Sequence, residues 1–471
     1  MKKTVFIWVF ACFVCYKTKA QSKIYHDSIM IETREWSRNN ERKIQYSDWK
    51  SYSSHTLDML NDFKPIGIAK VDKYGGDATV NAVATGFFRT EKSSGRWMVI
   101  DPVGHPFVVA AINGLRQGKS PNNEKAFNQK YHTINDWITV SDRQFEKMGF
   151  NCAGSWSDVD AIIQYNKTTA KPLPYTTQLS LLGGYTQYAI KLSPQRKEAS
   201  VLSFILDTAF ATYCNERCRE LSATKNDANL LGHFSDNEIV FLQSEFKKII
   251  ETSDKTDRCY LGAIQWMQHK NVTTTTITKE QKEEFIGEIA KLYYKTVSAA
   301  IKKYDPNHLY IGSRLHSSAK NNKYMFKACE PYIDIISINY YGYWQPRQKD
   351  MDDWAIWSSK PFFVTEFYTK GQDSGMGNIS GAGWLVKTQK DRGIHYQNFC
   401  LQLLKAKNCV GWHWFRYQDN DPADTTSDPS NSDSNKGLVN TTYDLYSELA
   451  EQMKILNQNK YSLIKYFNSL K

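Results

Sequence analysis

The chain has 471 residues, 41% hydrophobic and 23% charged, with 25 glycines and 13 prolines. That balance excludes disordered, collagen-like and coiled-coil proteins and leaves enough chain to bury a large core. The formal charge of +11 drops to +7 once the four lysines of the first twenty residues are set aside. The remaining Lys and Arg are scattered, so nucleic acid is not the expected partner.

Residues 1–20 read as a secretory signal: Lys2 and Lys3, an apolar run from Thr4 to Tyr16, then Thr18-Lys19-Ala20 as a cleavage site. Val9-Phe10-Ala11-Cys12 is a looser alternative, a lipoprotein box. The expected location is therefore periplasmic or extracellular, with no membrane-spanning segment. Seven cysteines follow the signal without a repeated CxxC pair, so neither a disulfide framework nor structural zinc is expected. Residues 21–90 form a polar N-terminal extension expected to pack on the main body, residues 91–471.

From Pro106 the chain alternates apolar runs with amphipathic segments. Strands are predicted at 106–112, 150–153, 178–182, 229–234, 309–312, 333–340, 362–365 and 410–415. Runs such as PFVVAAI are too apolar to alternate, which places them in a sheet buried on both faces. Ser141 with Gln144 and Thr278 with Gln281 predict capped helix starts, while Gly149 and Asp305-Pro306 predict stops. Eight strands alternating with helices predict an α/β fold, a (β/α)8 TIM barrel. A doubly wound sheet is the rival; neither GxGxxG nor GxxxxGK[ST] occurs.

In such a barrel the functional groups follow the strand C-termini. The fourth run is followed by Ser235-Asp236-Asn237-Glu238 and the seventh by Glu366. Two facing carboxylates about 5 to 5.5 Å apart are what retaining glycoside hydrolysis requires, one as proton donor and one as nucleophile. Aromatic residues at 14%, with 13 Trp and 28 Tyr, suit a carbohydrate-stacking cleft. Arg314 and His316 share a face after the fifth strand and can donate to sugar oxygens, or Arg314 can hold a structural ion pair. Trp412 and Trp414 alternate on the eighth strand, with His413 on the other face. Asn113 and Trp156 end the first two strands. No HExxH, EF-hand spacing or GxSxG occurs, so no cofactor or metal is expected, and the Asp- and Asn-rich stretch 419–435 reads as a solvated loop at the cleft edge.

An Asn-Glu pair after strand four and a Glu after strand seven resemble the signature of clan A retaining glycoside hydrolases. The resemblance implies Glu238 as acid/base, Glu366 as nucleophile and Asn237 as ligand of the sugar hydroxyl beside the anomeric carbon. It further implies that Tyr340 or Tyr341, with Tyr340 preferred here, hydrogen-bonds the nucleophile, and that Trp412 or Trp414 forms a sugar platform. Asp101-Pro102-Val103-Gly104-His105-Pro106, Gly232 to Glu238, Gly383-Trp384, Thr388 to Gly393 and Phe415 to Asp419 are similar to the β-agarase family of that clan, over residues 90 to 455. The implied substrate is a β-galactan of the agarose type. Porphyran, another β-galactan, a β-mannan, and a catalytically silent sugar-binding barrel stand as alternatives.

Overall fold

A computed structural model describes residues 24–39, 43–65, 70–427 and 431–470. The expected signal, residues 1–20, lies outside them. Eight strands build one wholly parallel sheet: β1 Val109–Ile112, β2 Cys152–Ala153, β3 Tyr175–Gln178, β4 Leu230–Phe234, β5 Leu309–Tyr310, β6 Ile336–Asn339, β7 Phe362–Phe367 and β8 Cys409–Trp414. Their order is β5-β4-β3-β2-β1-β8-β7-β6. The sheet curls, and an isolated parallel bridge joins Leu315, beyond β5, to Ile338 in β6. There Leu315 N–H donates to the Ser337 carbonyl and Asn339 N–H to the Leu315 carbonyl, each at 2.8 Å.

Burial on both faces explains why these strands carry so little polar sequence. One apolar cluster, with Val109, Ala111, Leu231, Phe234, Ile311, Phe363 and Val410, fills the concave side. A larger one joins Ala110, Ile112, Tyr175, Ile336, Ile338, Val364, Trp412 and Trp414 to helix residues such as Phe145, Tyr293 and Tyr396. The helices start and stop largely where side-chain chemistry directs. Thr278 and Gln281 form a reciprocal capping box on helix Lys279–Tyr304, which ends at Asp305. Gly149, at φ 72°, terminates helix Ile134–Met148.

Three expectations need correcting. Helix Ile134–Met148 starts two turns before Ser141, because Thr133 caps it through the Asp136 N–H; Ser141 sits inside it, bonded to the Tyr417 hydroxyl at 2.9 Å. The third strand is Tyr175–Gln178, and Leu181 already begins helix Leu181–Leu192. Its first amides are captured by Asp236, from Leu182 N–H at 3.0 Å and Gly183 N–H at 3.1 Å, a negative side chain at the positive end of a helix. The 419–435 stretch is not simply solvated: Asp419, Asn420, Asp421, Ser434 and Asn435 are buried, with Asp419 taking hydrogen bonds from Asn435, the Gly437 N–H and the Tyr446 hydroxyl.

Residues before the sheet are tied to its seventh strand. Ile29–Arg34 pairs antiparallel with Lys50–Ser54 and with Trp384–Val386. The latter pairs parallel with Thr369–Gly371, which continues from β7. All seven cysteines of the described residues are free and buried, and no helix among those residues is long and apolar enough to cross a membrane.

Gly411 of β8 lies opposite Val109 of β1, and a Cβ there would collide with the Val109 carbonyl oxygen. Gly411→Ala is expected to destabilise by about 1–3 kcal/mol through overpacking, lowering the melting midpoint by a few degrees. Gly262, in helix Arg258–His269, has nothing around its missing Cβ. Gly262→Ala, measured in the same thermal melts, should hold or raise the midpoint.

Candidate active site

Glu366 reaches the concave side through an irregularity in β7. Phe362 and Val364 pack toward the helices while Phe363 packs inward, so strict alternation would send Thr365 inward and Glu366 outward. The pairing with β6 slips, from Ile338 opposite Val364 to Asn339 opposite Glu366. One extra residue re-aims the side chain, as bulges beside active sites do, and Phe367 returns to the helix layer.

The Glu366 carboxylate is 6% exposed. Its Oε1 pairs with Arg314 Nη1 at 2.8 Å and its Oε2 accepts the Tyr341 hydroxyl at 2.9 Å. Burial pushes this carboxyl up to about 7; Arg314, the Tyr341 hydroxyl and Lys436 act against that shift, and the Glu238 charge adds to it. Arg314 is itself buried, its guanidinium carbon 5.4 Å from the Trp156 ring centre and 5.5 Å from that of Phe234. Its Nε and Nη2 have no hydrogen-bond partner among the described residues.

Glu238 follows β4 in the left-handed region, at φ 51°. Its N–H donates to the Arg314 carbonyl at 3.2 Å, and Asn237 is bridged to Arg314. Its Oε1 accepts Asn339 Nδ2 at 2.9 Å. His316 has a buried Nδ1 without a partner; burial lowers its pKa, and the neighbouring Glu238 charge partly offsets this. Glu238, Glu366, Asn237, Arg314, His316 and Trp156 are thus linked around the ends of β2, β4, β5 and β7.

Other expected site residues are elsewhere. Tyr340 does not reach Glu366: its hydroxyl donates to Asp350 Oδ2 at 2.7 Å and accepts the Arg347 N–H at 3.0 Å. Ile336, Ile338 and Tyr340 share the helix-facing side of β6, so Asn339 and Tyr341 occupy the other. Trp412 and Trp414 are fully buried in the layer between strand and helices, where Trp412 Nε1 donates to the Tyr396 hydroxyl at 2.7 Å and Trp414 Nε1 to the Lys436 carbonyl at 3.1 Å. They cannot serve as a sugar platform. The physical reason is another register slip, between Phe362–Cys409 and Val364–Trp412, which turns His413 inward. Asn113 is also fully buried; it donates to the Thr365 carbonyl at 2.7 Å and meets His413 Nδ1 at 3.1 Å, a brace between strands. Asn339 and Thr365 were missed by sequence reasoning and Tyr341 stood second to Tyr340, although period-two alternation along β6 would have identified Asn339 and Tyr341.

The one metal-capable grouping among the described residues is His233, Asp305 and His308, all buried. Asp305 Oδ2 meets His233 Nε2 at 2.8 Å and His308 Nδ1 at 2.7 Å. The other ring nitrogens meet Thr177 Oγ1 and the Asp227 carbonyl. Each side-chain polar atom of the three thus has a protein partner, and Asp305 and His308 precede β5, at the sheet end opposite the carboxylates.

No family model matches the chain. It is similar to the crystal structure of BpGH50, at 33% identity and TM-score 0.83, over 93% of this chain and 96% of that one. An agarase structure, AgWH50C, shares the fold at 20% identity and TM-score 0.70, over 85% of this chain and 67% of that one. Among curated proteins, β-agarase A of Vibrio sp. (strain JT0107) is 30% identical over 93% of this chain, and β-agarase B of the same strain 23% identical over 83%. The chain spans about half the length of these two curated relatives, 53% and 50%.

A carboxyl raised to about 7 becomes an anion only as pH rises through that value, so any rate that needs ionised Glu366 should fall off on the acid side near neutrality. Tyr341→Phe removes a donor that favours the anion and should move this acid limb to higher pH. Tyr340→Phe should leave it in place. The pH dependence of kcat/KM for both variants tests the exchange of roles between the two tyrosines.

Proposed function

Because the chain belongs to the GH50 family of glycoside hydrolases, with β-agarases among its relatives, we propose that it is an exported enzyme cleaving β-galactosidic bonds in agarose-type galactans by double displacement. In this reading the curled sheet is a (β/α)8 barrel closed between Leu315 and Ile338. The observation that carries the proposal is a shared anchor. Arg314 binds Glu366 through its guanidinium and the Asn237–Glu238 segment through its backbone, so one residue holds both carboxylate-bearing strand ends in register.

The chemistry follows from the two environments. Glu366 attacks the anomeric carbon while Glu238 protonates the departing glycosidic oxygen; Glu238 then takes a proton from water as the glycosyl–Glu366 ester is hydrolysed. Arg314 and Tyr341 hold the Glu366 oxygens in one orientation and favour their charge. In the ester that charge is gone, and both groups stand ready to receive it again as Glu366 leaves. Asn237 supports the sugar hydroxyl beside the reacting carbon. Asn113, Trp412 and Trp414 are structural, and stacking against the substrate falls to aromatics outside β8.

Glu366→Ala removes the atom that forms the ester and should abolish turnover of every substrate, whatever its leaving group. Glu238→Ala removes only proton transfer: an aryl β-galactoside with a good leaving group should still react, and azide should accelerate breakdown of the intermediate. Reducing-end release from agarose, porphyran and a β-mannan, with azide rescue of each variant, checks substrate and roles together. Rescue of the Glu366 variant alone would reverse the roles, and full activity in both variants would move the chemistry elsewhere.

A further inference from the structure

Asn339 ends β6 with 1% of its surface exposed, and its amide nitrogen donates two hydrogen bonds: to Glu238 Oε1 at 2.9 Å and to Asn237 Oδ1 at 3.1 Å. Consecutive residues of a straight strand face opposite ways. The left-handed turn at Glu238, φ 51°, brings both neighbours to one amide. The amide's orientation is set from its other end, because Asn339 Oδ1 accepts the Thr365 hydroxyl at 2.8 Å. Thr365 is the residue before the nucleophile, and its own carbonyl is held by Asn113 Nδ2 at 2.7 Å. Turning the amide over would set its oxygen against two acceptor oxygens and strand the Thr365 hydroxyl, so one rotamer is selected.

We infer that Asn339 is the positioning residue of the Asn237–Glu238 pair, using the two hydrogens of one side chain to aim both residues at the substrate. This rests on the proposed function and goes beyond it, since it names what sets the acid/base rather than what the acid/base does. Among the described residues, Asn339 is the only side chain hydrogen-bonded to Glu238. Holding Oε1 leaves Oε2 as the oxygen that exchanges the proton. Holding Asn237 Oδ1 turns the Asn237 NH2 outward as a donor, which is the polarity a sugar hydroxyl oxygen needs. Asn339 itself touches neither substrate nor the reacting bond.

The discriminating variants are Asn339→Asp, which keeps the shape but sets an acceptor against two acceptors, and Thr365→Val, which keeps the shape but frees the amide to turn. On an agaro-oligosaccharide, Asn339→Asp should lose about 100-fold in kcat through misplacement. The alkaline limb of its pH profile should also move upward by roughly one pH unit, because two adjacent carboxyls hold a proton longer than one. Thr365→Val should show a smaller loss, about 10-fold on the same scale, with the parent melting midpoint nearly retained. A uniform loss in Asn339→Asp with the alkaline limb unmoved means a purely structural role and overturns the inference, as does full kcat in Thr365→Val. If the parent cleaves neither the agaro-oligosaccharide nor an aryl β-galactoside, the proposed function is what fails. The inference is then read without turnover, from the titration of the Glu238 carboxyl carbon by 13C NMR; coincident curves for parent and Asn339→Asp overturn it.

Discussion

A carboxylate that is 6% exposed is the constraint from which the rest of the site follows. Burying an ion costs several kcal/mol unless charge and hydrogen bonds replace the lost water. Arg314 and Tyr341 supply that replacement at 2.8 and 2.9 Å, yet burial still leaves Glu366 near 7 rather than its ordinary 4.5. A group whose pKa is raised on folding contributes stability in full below its unfolded value and loses it as pH climbs through the folded value. Between about 4.5 and 7 the protein therefore gives up stability as it acquires the anion that the proposed chemistry requires, the trade expected where a functional charge is kept poorly solvated.

Arg314 has its own requirements. A buried guanidinium with one carboxylate partner is supported by the Trp156 and Phe234 rings, at 5.4 and 5.5 Å. Trp156 takes a φ of 67°, uncommon for a bulky residue and costly enough to persist only where surroundings enforce it. Two strained backbones, at Trp156 and Glu238, thus flank the same arginine.

Much of this was legible in the sequence, and what was not has a single physical origin. Buried parallel strands announce themselves by continuous apolar runs, and capped helices by side chains that satisfy orphan amides; hence seven of eight strands and the Thr278 capping box were found. The carboxylates were legible because Glu366 directly follows such a run and Glu238 lies four residues beyond the end of another. Facing was less legible, since a strand's side chains obey period two only while its register holds. Along β6 the alternation holds to its end, because the extra residue of the slip lies in β7, and it alone places Tyr341 rather than Tyr340 on the side of Glu366. Along β7 and β8 it slips, which turns Glu366 and His413 inward and sends Trp412 and Trp414 out. Slips depend on how neighbouring backbones meet, as at Gly411 against Val109, and no local pattern encodes that. Long-range pairing was hidden for the same reason: Thr33 lies opposite Val386 in the ladder and donates its hydroxyl to the Leu385 carbonyl.

That last pairing bears on how the site is kept in place. Residues Thr369–Gly371 leave β7 just beyond Glu366 and are held by Trp384–Val386, which the N-terminal strand Ile29–Arg34 completes. Around them Trp344 stacks on Trp384, with ring centres 5.9 Å apart, and donates to Ser54 at 2.8 Å. A bulged strand end is the part of a sheet least restrained by its own ladder, and here it carries Glu366, the group whose placement the proposed reaction would tolerate least. The N-terminal strand Ile29–Arg34 completes, from outside the eight-stranded sheet, the smaller sheet in which the chain just beyond β7 is paired.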